Sequence, residues 1–275
     1  MKKLTALLIT LILLCSTFVG CDDDSPTVNG GHNSSDDAEF NDVIKDYDKE
    51  ETIDGFTIKG KRYYYKGCDT PPGFIDLSEG EVLILNVKNN TETHYSITLN
   101  MTYLDENGEE IKKDSKYIEQ FPSKYQRYVL FRPGTDYDSY VCEVIKTEYT
   151  GEIYVDRVSI GLDNIHEGIN VIDEWNEEGG LTFYSTLWLQ TLVKFEAPVP
   201  KLSVSYVTIL FDNTGEIYLM CVGSGKYFGE PGKDTAASNF AFKSIRDKDA
   251  KIEIPDELKG DISVIFTPSG YSIIQ

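Results

Sequence analysis

Three histidines, five cysteines and 46 carboxylates are the side chains in this chain that could do chemistry. His32, His94 and His166 are too far apart to make a ligand pair, and no two cysteines stand at zinc-site spacing. Gly223-Ser224-Gly225-Lys226 suggests a phosphate-cradling loop. Met220 stands where the first glycine of such a loop belongs, and Tyr227 where Ser or Thr must reach a magnesium ion. The stretch reads instead as a hairpin loop after a strand over Glu216–Val222. Asp105-Glu106-Asn107-Gly108 and Asp212-Asn213-Thr214-Gly215 set oxygens beside a glycine, as calcium loops do. Lys113 and Lys116, however, fall at ligand positions of an EF-hand loop, and Asp and Asn suit such turns without any metal. Carboxylates are so numerous that no pair is marked as a glycosidase acid and base, and no Gly-x-Ser-x-Gly elbow is present. The expectation is therefore no catalytic residue, no cofactor and no metal site. Trp188, within Leu187-Trp188-Leu189, is expected in a core. Trp175, in Asp173-Glu174-Trp175-Asn176-Glu177, is the candidate ligand contact, because an exposed indole among carboxylates can stack on a sugar or meet a basic partner.

The elements that must position these residues are strands. From Gly55 onward the apolar pattern has period two. It is clearest over Tyr95–Tyr103, where odd positions are apolar and even ones polar, and the run ends in an Asn-Gly turn. Phe56–Tyr65, Glu81–Val87, Tyr128–Phe131, Ser139–Ile145 and Glu152–Ile160 read as further strands. In Tyr63-Tyr64-Tyr65 the middle ring must point opposite to its neighbours. The second half repeats the first. A shift of 107 positions lays Ile97, Leu99, Met101 and Tyr103 on Val204, Tyr206, Thr208 and Leu210, and Asp105 and Gly108 on Asp212 and Gly215. The fold class this predicts is all-β, two tandem immunoglobulin-like antiparallel β-sandwiches, over residues 55–163 and 164–275, with Asn164–Gly180 connecting or capping.

Ahead of them, Lys2 and Lys3 precede an apolar run over Leu4–Leu14 and then Phe18-Val19-Gly20-Cys21. That is a charged, then apolar, then small-residue order, the pattern of a secretory signal over residues 1–20. The junction resembles the lipobox of bacterial lipoproteins. The resemblance implies acylation of Cys21, a palmitate-type lipid anchor in the membrane, and an outward-facing place in a bacterial cell envelope, with the cell surface as one site. Lys2 and Lys3 leave with the signal, moving the net charge from −20 to −22. So acidic a surface repels phosphate backbones, which excludes nucleic acid as a partner. Residues 21–54 form an acidic tether, with a short helix predicted where Phe40, Val43, Ile44 and Tyr47 share one face. Cys68, Cys142 and Cys221 remain as buried thiols, or with Cys68 and Cys142 bridged.

The strand and turn Met101-Thr102-Tyr103-Leu104-Asp105-Glu106-Asn107-Gly108-Glu109 resembles the immunoglobulin-like FxLYD type of bacterial envelope domain, with Tyr206, Leu210, Phe211, Asp212 and Gly215 as a second copy. That resemblance implies a lipoprotein domain without catalytic residues. The functional expectation is a lipid-anchored, non-catalytic protein of binding or scaffolding type, with a protein or glycan ligand. A surface hydrolase using a carboxylate pair and a carbohydrate-binding lipoprotein are the alternatives.

Overall fold

The computed structural model describes residues 42–67, 78–155, 158–172, 182–195, 202–227, 234–245 and 249–273. The regular elements among the described residues are strands, joined by turns and loops, with a 3-10 turn at Asp256–Leu258. The first seven strands are β1 (Lys49–Ile53), β2 (Phe56–Tyr65), β3 (Gly80–Asn89), β4 (Tyr95–Leu104), β5 (Glu110–Phe121), β6 (Gln126–Phe131) and β7 (Ser139–Glu148). They make two antiparallel sheets, ordered β1-β2-β3-β6 and β5-β4-β7. Six more follow: β8 (Val158–Ile172), β9 (Thr182–Phe195), β10 (Leu202–Phe211), β11 (Ile217–Tyr227), β12 (Asp234–Ile245) and β13 (Ser263–Ile273). Their sheets are β8-β9-β12 and β11-β10-β13. Adding six to β2 through β7 reproduces both, so each half places its first, second and fifth strands in one sheet and its third, fourth and sixth in the other. This exchange between sheets is the Greek-key order of immunoglobulin-like sandwiches.

The four sheets stack. Between β1-β2-β3-β6 and β5-β4-β7 lies the first core, with Phe56, Leu83, Leu85, Val87, Ile97, Leu99, Met101 and Phe121 fully buried. A second apolar cluster fills the joint between β1-β2-β3-β6 and β11-β10-β13. Tyr65, Val82, Ile84, Tyr128 and Leu130 meet Val207, Ile209, Phe211, Met220 and Ile265 there. The Thr267 hydroxyl donates to the Tyr128 carbonyl across the same joint at 2.7 Å. The two middle sheets are thus covered on both faces. That is why β3 and β10 are buried in near-continuous runs while β4, in an outer sheet, alternates. The outer face of β4 carries Asn100 and Thr102 where β10 carries Val207 and Ile209, so the stack stops at that sheet.

Several expectations are corrected. No helix forms over 42–48: Asp46 takes φ 56°, and β1 begins inside the stretch read as tether. Glu152–Ile160 is not one strand. Ile153 and Val155 drop into the first core as a loop, and β8 starts at Val158 and runs across the boundary at 163/164 as far as Ile172. Residues 223–226 belong to β11, paired with Ser203–Tyr206 of β10, and are not a hairpin loop. β5 escapes an alternation search because Lys112, Asp114 and Lys116 occupy its inward positions until Ile118. Trp188 is half-buried on the face opposite the buried Leu187 and Leu189. There it stacks on His166 with ring centroids 5.9 Å apart, over Gly168, where a Cβ would collide with the indole.

Candidate functional site

The joint between the two sandwiches opens at one margin into a cleft of about 940 Å³. Three separate segments wall it: a strap over residues 42–48, the β10–β11 turn, and Gly260–Ser263 leading into β13, with Lys61 and Tyr63 of β2 between them. Asp42, Asp46, Asp212, Glu216 and Asp261 face Lys45 and Lys61 around this space, so the lining is acidic.

The β10–β11 turn is held by its own first residue. Asp212 Oδ1 accepts from the Thr214 amide (2.8 Å), the Thr214 hydroxyl (2.6 Å) and the Glu216 amide (3.0 Å). Gly215 at φ 86° returns its amide to the Asp212 carbonyl. Asp105 does the same for the amides of Asn107 and Glu109, both at 2.9 Å, with Gly108 at φ 79°. Each turn follows a register shift at the same point, Tyr103/Leu104 in one copy and Leu210/Phe211 in the other. The expected turn chemistry accounts for both motifs. Burial pushes the Asp212 pKa up, but the Thr214 and Glu216 hydrogen bonds together outweigh it and hold the carboxyl below its ordinary range. In the second copy Asn213 adds a brace. Its amide side chain donates to the carbonyls of Asp256 (2.9 Å) and Lys259 (3.0 Å), tying the 3-10 turn to the cleft wall. Glu106 occupies that position in the first copy.

Tyr63 lies half-buried with its ring 5.5 Å from Phe211. Burial, then the charges of Glu216, Asp48 and Asp42, push its pKa well up, so its hydroxyl stays a neutral donor at the cleft. Lys61 Nζ donates to the Asp46 carbonyl at 2.7 Å, which fixes one cation against the strap. Glu216, Asp46 and Asp261 are exposed, and they can accept from ammonium, guanidinium or hydroxyl groups.

Of the tyrosine run, Tyr63 reaches the cleft and Tyr65 the joint, while Tyr64 points the opposite way and donates to Glu79 at 2.8 Å. His94 serves the fold, its Nδ1 accepting the Ser123 amide at 3.0 Å. Cys142 is a free, buried thiol, and burial, then Glu51, pushes its pKa up to about 12, so it is held as unreactive thiol. Cys221 is also buried. Cys21, Cys68 and Trp175 lie outside the described residues. Among the described residues no three His, Cys, Asp or Glu side chains group so as to hold a metal ion. Of the cleft residues, sequence pattern marks Val43, Tyr63, Phe211 and the Asp212 turn, none of them as parts of one site. The cleft draws on segments far apart in the chain, and the one signal that could have found it is the acidic turn.

No family model matches the chain, and no curated protein matches it. Among solved structures, the N-terminal CBM22-1-CBM22-2 tandem domain of Xyn10C from Paenibacillus barcinonensis is similar at 8% sequence identity. The match covers 91% of this chain and 100% of that chain, with a TM-score of 0.15. A likeness at that score carries no argument about fold or function.

Proposed function

We propose that this chain is a lipid-anchored cell-envelope protein of non-catalytic binding type. It is acylated at Cys21, held off the membrane by its acidic tether, and built from tandem FxLYD-type immunoglobulin-like domains. Its ligand is a basic segment of another protein, taken into the cleft at the joint. The observation that carries this reading is the cleft lining, five carboxylates against two lysines with a neutral Tyr63 hydroxyl among them. The signal-like order before Cys21 and the two matching Asp–Gly turns support the anchor and the domain type. Opposite charge of this kind steers association and makes it sensitive to salt. Among the described residues no helix is long and apolar enough to cross a membrane, and an acyl anchor needs none.

Fractionation tests the anchor. Wild type should sediment with membranes, and Cys21→Ser should move to the soluble fraction, because no basic patch is left to hold it there. A Cys21→Ser form that has lost residues 1–20 and is still bound to membranes refutes acylation as the anchor.

A further inference from the structure

The strap over residues 42–48 is tied by hydrogen bonds to β2, β3 and β6 of the first sandwich, and it buries Ile44 in the joint. Asp42 Oδ1 collects three donors from three different elements. They are the Tyr47 hydroxyl on the strap itself, the Tyr128 hydroxyl of β6 at 2.7 Å, and Asn86 Nδ2 of β3 at 3.0 Å. Asn86 Nδ2 also reaches the Tyr47 hydroxyl at 3.0 Å, and the Val43 amide donates to the Tyr128 hydroxyl at 2.9 Å. Beside this network Ile44 is buried in the joint cluster itself, with Val43 and Tyr47 packed against it. That cluster contains side chains of both sandwiches, so Ile44 touches a core that neither half owns alone. Beyond it, the Asp48 amide donates to the Gly60 carbonyl at 2.9 Å, and Asp48 Oδ2 accepts the Arg62 amide at 2.7 Å. Lys59 Nζ sits 5.6 Å from the centroid of the Tyr47 ring. The same strap supplies Asp42, Val43, Lys45 and Asp46 to the cleft wall.

We propose that residues 42–48 are a removable key for the joint between the two sandwiches: seated, they lock β1-β2-β3-β6 against β11-β10-β13, and withdrawn, they let the two move apart and dismantle the cleft. Asp42 is the end of the strap nearest Cys21 in the chain, so a pull from the side of Cys21 acts on the strap at Asp42. A load applied there peels the key from its end, breaking the Asp42 network before Ile44 leaves the joint. The regulatory meaning of this device rests on the cleft being the ligand site, but the mechanical device does not.

Spin-label distance measurements on the full chain carrying Cys21→Ser decide it without any ligand. Labels go on Glu106→Cys and Lys251→Cys, exposed sites in the first and second halves, with Cys15→Ser and Cys68→Ser so that the buried Cys142 and Cys221 are the other thiols left. The chain with an intact strap should give one narrow distance distribution. Asp42→Ala should add a broad second population, raising the open-to-closed ratio roughly tenfold or more, as loss of hydrogen bonds to a charged acceptor does. Tyr128→Phe keeps its ring in the joint and removes only the hydroxyl, so it should shift the ratio the same way by less. It also decides the question if Asp42→Ala loses its β circular dichroism. An unchanged narrow distribution in the folded variant, with faster amide exchange confined to 42–48, means that the strap detaches while the joint stays shut, and overturns the proposal. If the strap behaves as a key while a basic peptide fails to bind, only the ligand reading falls.

Discussion

Ile209→Asp should separate the two sandwiches or unfold the chain outright, while Thr102→Asp should leave it almost untouched. The two positions are equivalent, near the C-terminal ends of β10 and of β4 and 107 residues apart. Ile209 is 0% exposed within the joint cluster, with Ile265 as its partner on β13, whereas Thr102 faces outward from the sheet where the stack ends. A carboxylate at 209 would be desolvated with no cation among the apolar side chains of that cluster, a cost of roughly 4 kcal/mol or more. At 102 it would stay in water, with a change within about 0.5 kcal/mol. Urea denaturation followed by circular dichroism and scattering measures both. The expected pattern is an early transition for Ile209→Asp in which size increases before β-structure is lost. Equal midpoints for the two variants would mean that the sheets do not meet there in solution.

Phe56→Ala should be the most damaging change in the first core, at about 3–5 kcal/mol. Its ring is fully buried at the start of β2 and packs edge-on to Phe121, with centroids 5.6 Å apart, and against Tyr95 at 5.9 Å. Those partners come from the facing sheet, so truncation leaves a void that sheet backbones cannot readily close. Phe56→Leu should recover part of the loss. The read-out is the urea midpoint, and a loss under about 1 kcal/mol would contradict the packing described for this end of the sandwich.

The sequence displays this fold where one face of a strand meets water. Tyr95–Tyr103 alternates cleanly and the Asp–Gly turn after β4 is self-sufficient, so both could be read directly, whereas Phe56–Tyr65 changes its buried face after Gly60, from Phe56 and Ile58 in the first core to Tyr63 and Tyr65 at the joint. The 107-residue echo comes from the same local chemistry and foretold that the second half would order its strands like the first. The joint was hidden. β3 and β10 are covered on both sides, which erases alternation and leaves an apolar run that says nothing about its partner. The strap misled for a related reason. Val43, Ile44 and Tyr47 have helical spacing, but they are apolar because the joint takes them in, and Asp46 in the left-handed region breaks any helix. Of the cleft, the sequence shows only separate pieces such as the Asp212 turn, since Asp42, Lys61, Glu216 and Asp261 come from four places that only the stacking of sandwiches brings together.

Recognition of a basic segment in the cleft is the central claim, and fluorescence anisotropy with a labelled oligolysine peptide tests it most directly. The full chain with Cys21→Ser should bind the peptide saturably at low salt, lose affinity steadily as salt rises, and release it unaltered. Replacing Glu216 and Asp261 together with Gln and Asn should weaken binding about tenfold, since two exposed carboxylates are removed without disturbing the Asp212 turn. The same double change at Glu106 and Glu109, beside the equivalent turn in the first copy, should have no effect. Equal loss from both pairs would reduce the cleft to a share of the general surface charge. Binding untouched by the Glu216 and Asp261 changes would contradict the account.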